Sequence, residues 1–320
     1  MNKPNNPQDI YPRDMIGYGR RPPNPNWPQK ARLAVQFVVN YEEGGENSVL
    51  HGDPVSEAYL SEIVGTAPLQ GRRNLTIESL YEYGSRVGAW RLIDLFNEKK
   101  LPFTSFAVGM ALERNPEVAK VMAAEGHEIA SHGWRWIDYL DVPIDVERDH
   151  MKKSIDLIRD LTGQRPVGWY TGRVSGNTAQ LVAEDGGFMY HADSYADDLP
   201  YWEDVDGGSN LVVPYTLDVN DMKFCGYQGF NSGDQFFNYL KDSFDWLYRE
   251  GATQPRMMSV GLHCRIAGRP GRIAALARFM DYIKSHDDIW VCRREDIARY
   301  WRSAHPHTAT AALYEKETQL

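Results

Sequence analysis

The sequence predicts an α/β fold, in which one sheet of mostly parallel strands is surrounded by helices. Short apolar runs alternate with stretches of helical periodicity along most of the 320 residues. Seven or eight strands that alternate with helices imply parallel pairing through right-handed crossovers. No repeat, linker or break in composition divides the chain, so we expect a single domain. On this pattern alone, a closed barrel and an open sheet are both compatible.

The first third of the chain contains an arm, a strand and an excursion. Residues 1–30 are rich in Pro, Asn and Gly, which predicts an extended arm. RLAVQFVVN at 32–40 is an apolar run typical of a strand buried on both faces. Residues 46–84 have no strong period and are interpreted as an inserted excursion. Helical spacing resumes at Val87 and leads to Phe96.

The rest of the chain repeats the same alternation. Asn115 and Asn177 are placed to cap helices, and Gly163 is placed to end one. Strands are predicted at 102–109, 127–132, 167–170, 188–193, 211–216, 257–263 and 289–292. Further helices are predicted at 116–126, 145–162, 178–186, 233–250, 270–285 and 294–303.

Polar side chains recur where the predicted strands end. They are Glu42, Glu43, His132, the run Tyr170 to Arg173, Asp193, Asp218 with Asp221, and His263. The carboxyl ends of parallel strands meet at one edge of a sheet, and ligands bind there in both barrels and open sheets. The sequence therefore predicts one pocket at this edge.

Taken singly, these residues have simpler interpretations. Glu42 and Glu43 could form a solvated strand end, and neighbouring strand residues point to opposite faces, so at most one should enter the pocket directly. His132 alone is more often a satisfied strand-end histidine than a ligand. Cys264 beside His263 suggests a Cys-His nucleophile, but it should turn away from the pocket and is interpreted as a small buried residue.

The motifs, in their order, resemble those of the polysaccharide deacetylase family, also called the NodB-homology family. NYEEG at 40–44 stands where the family has Thr-Phe-Asp-Asp-Gly, and GHEIASH at 126–132 resembles its Gly-His-Glu-Ile-x-x-His. PFTSFAVG at 102–109, RPVGWYTGR at 165–173 and GLH at 261–263 resemble the remaining motifs. The resemblance implies a distorted TIM-like (β/α) barrel over residues 31–305, with 306–320 as a tail.

Two departures concern the metal that this family uses. Family members hold a divalent cation with an aspartate and two histidines spaced four apart, and here Glu43 and Trp136 replace the aspartate and the second histidine. An indole N–H can only donate a hydrogen bond, so Trp136 cannot bind a metal. His132 and Glu43 are too few for catalytic zinc, which takes three protein ligands. No metal and no other cofactor is therefore expected.

A narrower resemblance covers almost the whole chain, from about residue 11 to residue 305. YPRDMIGYG, VNYEEGGE, SHGWRWIDY, GWYTGR, NDM and GLHCRIAGRP together resemble the metal-independent allantoinases, a group within this family. This implies a hydrolase that opens the hydantoin ring of allantoin to give allantoate in purine catabolism. Cyclic-imide hydrolysis remains a close alternative.

The resemblance also implies roles for the strand-end residues. Glu42 would activate water, His263 would protonate the leaving nitrogen, and His132 would donate to the carbonyl oxygen. Arg173 would orient the base and Asp193 would orient His263. Trp134, Trp136 and Tyr139 are expected to form aromatic walls, with core packing as the alternative role for at least one of them. Tyr170 is expected to bind or orient the substrate, and Glu43 to accept from a ureido N–H.

Composition restricts the partners. The formal net charge of -9, without a basic stripe, argues against nucleic acid or an anionic membrane as partner, so a small-molecule substrate such as a cyclic ureide is expected. The first residues have no apolar core typical of a secretion signal, and three scattered cysteines do not indicate a disulfide framework, so a cytoplasmic location is expected. The arm and excursion favour a homo-oligomer, with a tetramer as one candidate.

Two rival functions remain at this stage. A metal-dependent carbohydrate deacetylase would fit the family, but its substrates are mostly extracellular and its chelating residues are incomplete here. An inactive barrel that binds a sugar or a nucleobase-derived ligand would keep the aromatic walls, but it has no need of Glu42 and His263 at the ends of distant strands.

Overall fold

One mixed sheet carries the fold. The computed structural model describes residues 12–206 and 208–307. The strands in these ranges are β1 (Leu33–Tyr41), β2 (Thr104–Ala107), β3 (Glu128–Ser131), β4 (Gly168–Trp169), β5 (Tyr190–His191), β6 (Tyr201–Val205), β7 (Gly208–Val212), β8 (Arg256–His263) and β9 (Ile289–Val291). Their order is β6-β7-β5-β4-β3-β2-β1-β8, with β9 added beside β1.

The sheet curls into a barrel that is left open. β8 pairs in parallel with β1 along Leu33 to Asn40, while β2 and β9 share the other side of β1. Every described pair is parallel except β6 with β7. The path ends at β6 and β8, which are not paired with each other in the described part of the chain. The prediction of a distorted barrel in a single domain is thus confirmed.

Strand β1 is buried along its whole length, as its apolar sequence predicts. Leu33, Val35 and Phe37 belong to the core between the sheet and the helices. Ala34 and Val38 belong to a second core, which also contains Phe106, Tyr190 and Tyr215. Because successive residues of a strand face opposite sides, β1 joins the two cores and fixes the strand ends that follow it.

Ten α-helices flank the sheet in the described ranges. They are α1 (Leu75–Tyr83), α2 (Ala89–Lys99), α3 (Gly109–Arg114), α4 (Pro116–Ala124), α5 (Ile144–Thr162), α6 (Thr178–Asp185), α7 (Gly233–Glu250), α8 (Cys264–Ala267), α9 (Pro270–Lys284) and α10 (Arg294–Ala304). The predicted helices at 145–162, 233–250, 270–285 and 294–303 agree to within a residue. Asn115 and Asn177 precede α4 and α6, but neither side chain caps its helix.

The predicted excursion is too long at its end, because α1 begins at residue 75. Asn74 caps this helix, and its Oδ1 accepts from the N–H of Ile77 at 3.2 Å. Only two residues of α1 are buried, so the apolar period is too short to read from the sequence. A π-helical turn, Gly84–Gly88, then continues directly into α2.

The strand predicted at 211–216 is also wrong in its bounds. β7 ends at Val212, and Pro214 follows, which has no N–H to donate to a ladder. Its antiparallel neighbour β6 was not predicted. β6 is a half-buried edge strand, so its sequence YWEDV lacks the apolar run of an inner strand.

The described part of the arm lies against the barrel. Trp27 is buried against Trp290 and Trp301, and its indole N–H donates to the carbonyl of Arg256 at 2.9 Å. The hydroxyl of Tyr18 donates to the carbonyl of Pro200 at 2.7 Å. Residues 1–11 of the predicted arm and 308–320 of the predicted tail lie outside the described residues. No helix in the described ranges is long and apolar enough to cross a membrane.

Candidate active site

A small cavity lies at the carboxyl ends of β1, β3, β4 and β8, where the sequence placed the pocket. Its volume is about 100 Å³. It is lined by Asn40, Glu42, Tyr59, Leu60, His132, Trp136, Tyr170, Gly172, Arg173, Tyr195, Tyr215, Leu217, Asn220, Met222 and His263. A larger groove of about 720 Å³ contains Asp198, Asp242 and Trp246, but its described lining has no histidine or arginine. The smaller cavity is therefore the candidate site.

Glu42 is at the centre of this site. Its Oε1 lies 3.4 Å from Nε2 of His132 and 3.6 Å from Nε2 of His263. Its Oε2 accepts from Nη1 of Arg265 at 2.7 Å. Burial by itself would raise the pKa of Glu42, but the Arg265 guanidinium and the two histidines outweigh it and hold this pKa below its ordinary value. Glu42 is therefore ionised at neutral pH although it is fully buried.

His263 is oriented by Asp221. Nδ1 of His263 lies 2.6 Å from Oδ1 of Asp221, and the backbone N–H groups of His263 and Ala267 donate to Oδ2 at 2.7 and 2.9 Å. Nδ1–H therefore donates to Asp221, which leaves Nε2 facing Glu42. Burial lowers the pKa of His263, but Asp221 and Glu42 exceed that effect and raise it above its ordinary value. The prediction that Asp193 orients His263 is wrong.

Asp193 instead holds the turn after β4. Its carboxylate accepts from the backbone N–H of Thr171 at 2.9 Å and from that of Gly172 at 2.7 Å. Gly172 has a φ of 74°, a left-handed conformation that favours glycine. Asp193 thereby fixes the backbone that presents the next residue, Arg173, and does not itself line the cavity.

Arg265 is the main residue that the sequence analysis missed. It is buried in α8, and besides Glu42 its guanidinium contacts the carbonyl of Leu60 at 3.2 Å and lies over the Tyr81 ring at 4.2 Å. The prediction that Arg173 orients the base is wrong, because Arg265 makes that contact. The motif GLHCRIAGRP contained the signal, since Arg265 follows His263 by two residues.

Glu43 points away from the cavity, in contrast to the expected contact with a ligand. Its Oε2 accepts from the backbone N–H of Glu42 at 3.0 Å, and its Oε1 accepts from that of Arg265 at 3.1 Å. Burial raises the pKa of Glu43, with Arg265 opposing the shift. Glu43 therefore links the end of β1 to α8 through hydrogen bonds.

His132 enters the cavity with one ring nitrogen unsatisfied. Nε2 faces Glu42, and Nδ1 is buried without a hydrogen-bond partner among the described residues. Its ring packs against Tyr170 at 4.8 Å between centroids, and Tyr170 stacks on Phe106 at 4.5 Å. A carboxylate beside Nε2 favours the Nε2–H form, so His132 can donate into the site at this position.

Aromatic rings form one wall of the site. Trp136 stacks on Tyr59 at 5.9 Å between centroids, and the guanidinium of Arg173 lies over Trp136 at 4.1 Å. Trp134 does not line the cavity, and its ring instead lies close to Gly109 at the start of α3. Tyr139 is buried and its hydroxyl lies 3.0 Å from Nδ1 of His150, so it also does not line the cavity.

The residues present do not fit the divalent cation that the family fold implies. Trp136 offers only a donor where a third ligand is needed. The guanidinium of Arg265 already neutralises Glu42 at 2.7 Å and lies 5.1 Å from the Trp136 ring centroid. No group of three His, Cys, Asp or Glu side chains in the described ranges has the geometry of a metal site.

The chain belongs to the polysaccharide deacetylase family, a family of hydrolases. The sequence profile of that family matches residues 72–190. A curated Schizosaccharomyces pombe protein named for polysaccharide deacetylase is 45% identical, covering 93% of this chain and 99% of its own length. A Helicobacter pylori peptidoglycan deacetylase is 27% identical over 67% of this chain and 83% of its own length.

Two solved structures are similar to this chain over most of its length. One is PuuE allantoinase, with 59% identity, a TM-score of 0.91, and coverage of 93% of this chain and 99% of that one. The other, from Pseudomonas aeruginosa PAO1 and named for polysaccharide deacetylase, has 60% identity, a TM-score of 0.91, and coverage of 93% and 100%. The resemblance seen in the sequence motifs is confirmed by this similarity to PuuE allantoinase.

Proposed function

We propose that this chain opens the hydantoin ring of allantoin by acid–base chemistry that needs no metal, a step of purine catabolism. The 59% identity to PuuE allantoinase supports this substrate. Two relatives are named for polysaccharide deacetylase, and the further support for allantoin as substrate comes from the chemistry of the cavity.

One observation carries the proposal: Glu42 and His263 face the same cavity with pKa values shifted in opposite directions. The lowered pKa keeps Glu42 ionised as a proton acceptor, and the raised pKa keeps more of His263 protonated as a donor. Two titratable groups whose surroundings drive their pKa values apart form an acid–base pair that is ready at one pH.

Hydrolysis follows from this arrangement. The oxygen of a water molecule bonds to the ring carbonyl carbon while Glu42 takes a proton from that water. The oxyanion accepts a hydrogen bond from Nε2–H of His132, a kind of contact worth about 3 kcal/mol in the barrier. The ring C–N bond breaks, its electron pair goes to nitrogen, and that nitrogen takes the proton from Nε2 of His263. The new carboxylic acid ionises and releases one proton, and the proton on Glu42 passes to Nε2 of His263, 3.6 Å away, which restores both groups.

The size of the cavity favours a compact substrate. Its volume is about 100 Å³. Pockets for drug-sized ligands have ~300–1,000 Å³. Tyr59, Leu60 and Met222 contribute to the enclosing wall. A small flat ring fits this space better than a polysaccharide chain does.

The test uses purified protein after exhaustive chelation, assayed on allantoin, on succinimide and on an N-acetylglucosamine oligomer. We expect allantoin turnover at an unchanged rate, and almost none with Glu42→Gln, because the proton acceptor is then absent. If only the acetylated sugar is hydrolysed, and only after zinc is added back, the chain is a metal-dependent carbohydrate deacetylase. Turnover of succinimide alone would identify an imide hydrolase. Activity retained by Glu42→Gln would remove Glu42 from its role.

A further inference from the structure

Arg173 carries a hydrogen-bond donor that none of the described residues accepts. The side chain lines the cavity, and its Nη2 is buried without a partner in the part of the chain that the structure describes. Leaving a buried donor unpaired costs about 1–3 kcal/mol, and more for a charged group. A bound ligand with an oxygen acceptor would remove that cost.

The guanidinium of Arg173 is held in place by contacts on several sides. It lies 4.1 Å from the Trp136 ring centroid and 4.9 Å from that of Tyr59. Its Nη1 lies 3.9 Å from a carboxylate oxygen of Glu57, so an opposite charge stands beside it. The backbone carbonyl of Arg173 accepts from the N–H of Tyr139 at 3.0 Å. The unused donor is therefore preorganised.

The turn that presents Arg173 is also anchored on its far side. The hydroxyl of Ser175 donates to the buried Glu147 at 2.6 Å, and that of Thr178 donates to the same carboxylate at 2.5 Å. With Asp193 holding the residues before Arg173, both flanks of this turn are fixed to the barrel.

Arg173 is separate from the reacting groups. Arg265, and not Arg173, pairs with Glu42, and both arginines lie against Trp136. Arg173 is therefore free to bind the part of the substrate that is not hydrolysed. A guanidinium offers planar N–H donors that match a carbonyl oxygen.

We infer that Arg173 determines specificity by donating to a carbonyl oxygen outside the ring, and so selects cyclic ureides that carry a carbonyl-bearing arm. This inference rests on the proposed ring-opening function. Trp136 and Tyr59 hold the guanidinium, and the ring being opened lies toward Glu42 and His263.

The test compares allantoin, which has a ureido arm, with unsubstituted hydantoin, which lacks it. We expect Arg173→Met to lower kcat/KM for allantoin by about 10- to 100-fold, the effect of losing one charged hydrogen bond. The value for hydantoin should change little. Arg173→Lys should also lose most of the preference, because an ammonium lacks the planar fork. Arg249→Met is the matched control, since Arg249 is exposed and lies over Trp246 at 3.9 Å.

The outcomes separate this inference from the function itself. Equal losses on both substrates, or no loss on allantoin, would overturn the role of Arg173. If the wild-type protein opens neither ring, the proposed function is wrong. The role of Arg173 in binding is then tested by calorimetric measurement of allantoin and hydantoin binding. In a Glu42→Gln background, Arg173→Met should then weaken the binding of allantoin and not that of hydantoin. Equal binding of allantoin with and without Arg173, or none in either protein, would overturn it.

Discussion

Replacing Arg265 by methionine tests whether one buried guanidinium holds the centre of the site together. Its Nη1 lies 2.7 Å from Glu42 and 3.5 Å from Glu43, and all three side chains are buried. Removing one partner of a buried ion pair costs about 3–5 kcal/mol, because the remaining charge is unpaired. We expect Arg265→Met to lose that much of a total stability that is commonly about 5–15 kcal/mol.

The loss should depend on pH with a definite sign. In the wild-type protein the folded pKa of Glu42 is lowered, so its contribution is present at neutral pH and is lost only as pH falls through that folded value. Without Arg265, His132 and His263 remain beside Glu42, but the burial that raises the pKa of Glu43 loses its main opposing charge, so this pKa rises further above its unfolded value. Stability is then lost as pH rises above about 4.3, the ordinary glutamate value. Arg265→Met should therefore be more stable at pH 5 than at pH 8.

Urea unfolding at pH 5 and at pH 8, followed by circular dichroism, measures this difference. Adding Glu43→Gln to Arg265→Met should recover part of the loss at pH 8, because one buried charge is removed. Arg269→Met is the control, since Arg269 is partly exposed and pairs with Glu62 at 3.2 Å, a surface pair worth about 0–1 kcal/mol. An equal loss at both pH values would show that packing, and not charge, explains the role of Arg265.

Two further predictions concern His263. Asp221→Asn should lower kcat by about 10³-fold or more, because the imidazole loses the acceptor that fixes its tautomer. The control is Asp218→Asn, at a surface pair with Lys223, which should have no effect on kcat. Equal kcat values for the two variants would contradict the role of Asp221. When kcat/KM is plotted against pH, it should fall as pH rises through the pKa of His263, which is raised above 6.5. A fall with rising pH that begins below pH 6 would show that protonated His263 is not the acid.

Much of the fold could be predicted because its long elements are buried. The apolar residues of β1 and the helical periods of α5, α7 and α9 follow from burial on one or two faces, which is a property of the local sequence. Two of the elements that were missed have little burial of their own, and a third, α8, is buried but only four residues long. α1 buries two residues, and β6 is a half-buried edge strand.

The sequence predicted which residues line the candidate site better than it predicted which of them contact each other. Glu42, His132 and His263 line one cavity because parallel strands end at one edge. The predicted partners of the catalytic residues were wrong. Arg265, and not Arg173, contacts Glu42, and Asp221, and not Asp193, contacts His263. Each exchange depends on how the backbone turns after a strand ends, and spacing along the chain does not fix that direction.

The sequence by itself determined the alternation of mostly parallel strands with helices, the family motifs, and Trp136 where the family has its second metal histidine, because these depend on residue type and period. Only the tertiary structure decided that Arg265 neutralises Glu42, that Asp221 orients His263, and that Tyr59 from the excursion encloses the cavity. Those contacts join residues between 42 and 223 positions apart. They form only when the sheet curls, and the low polarity of the buried site then makes them strong.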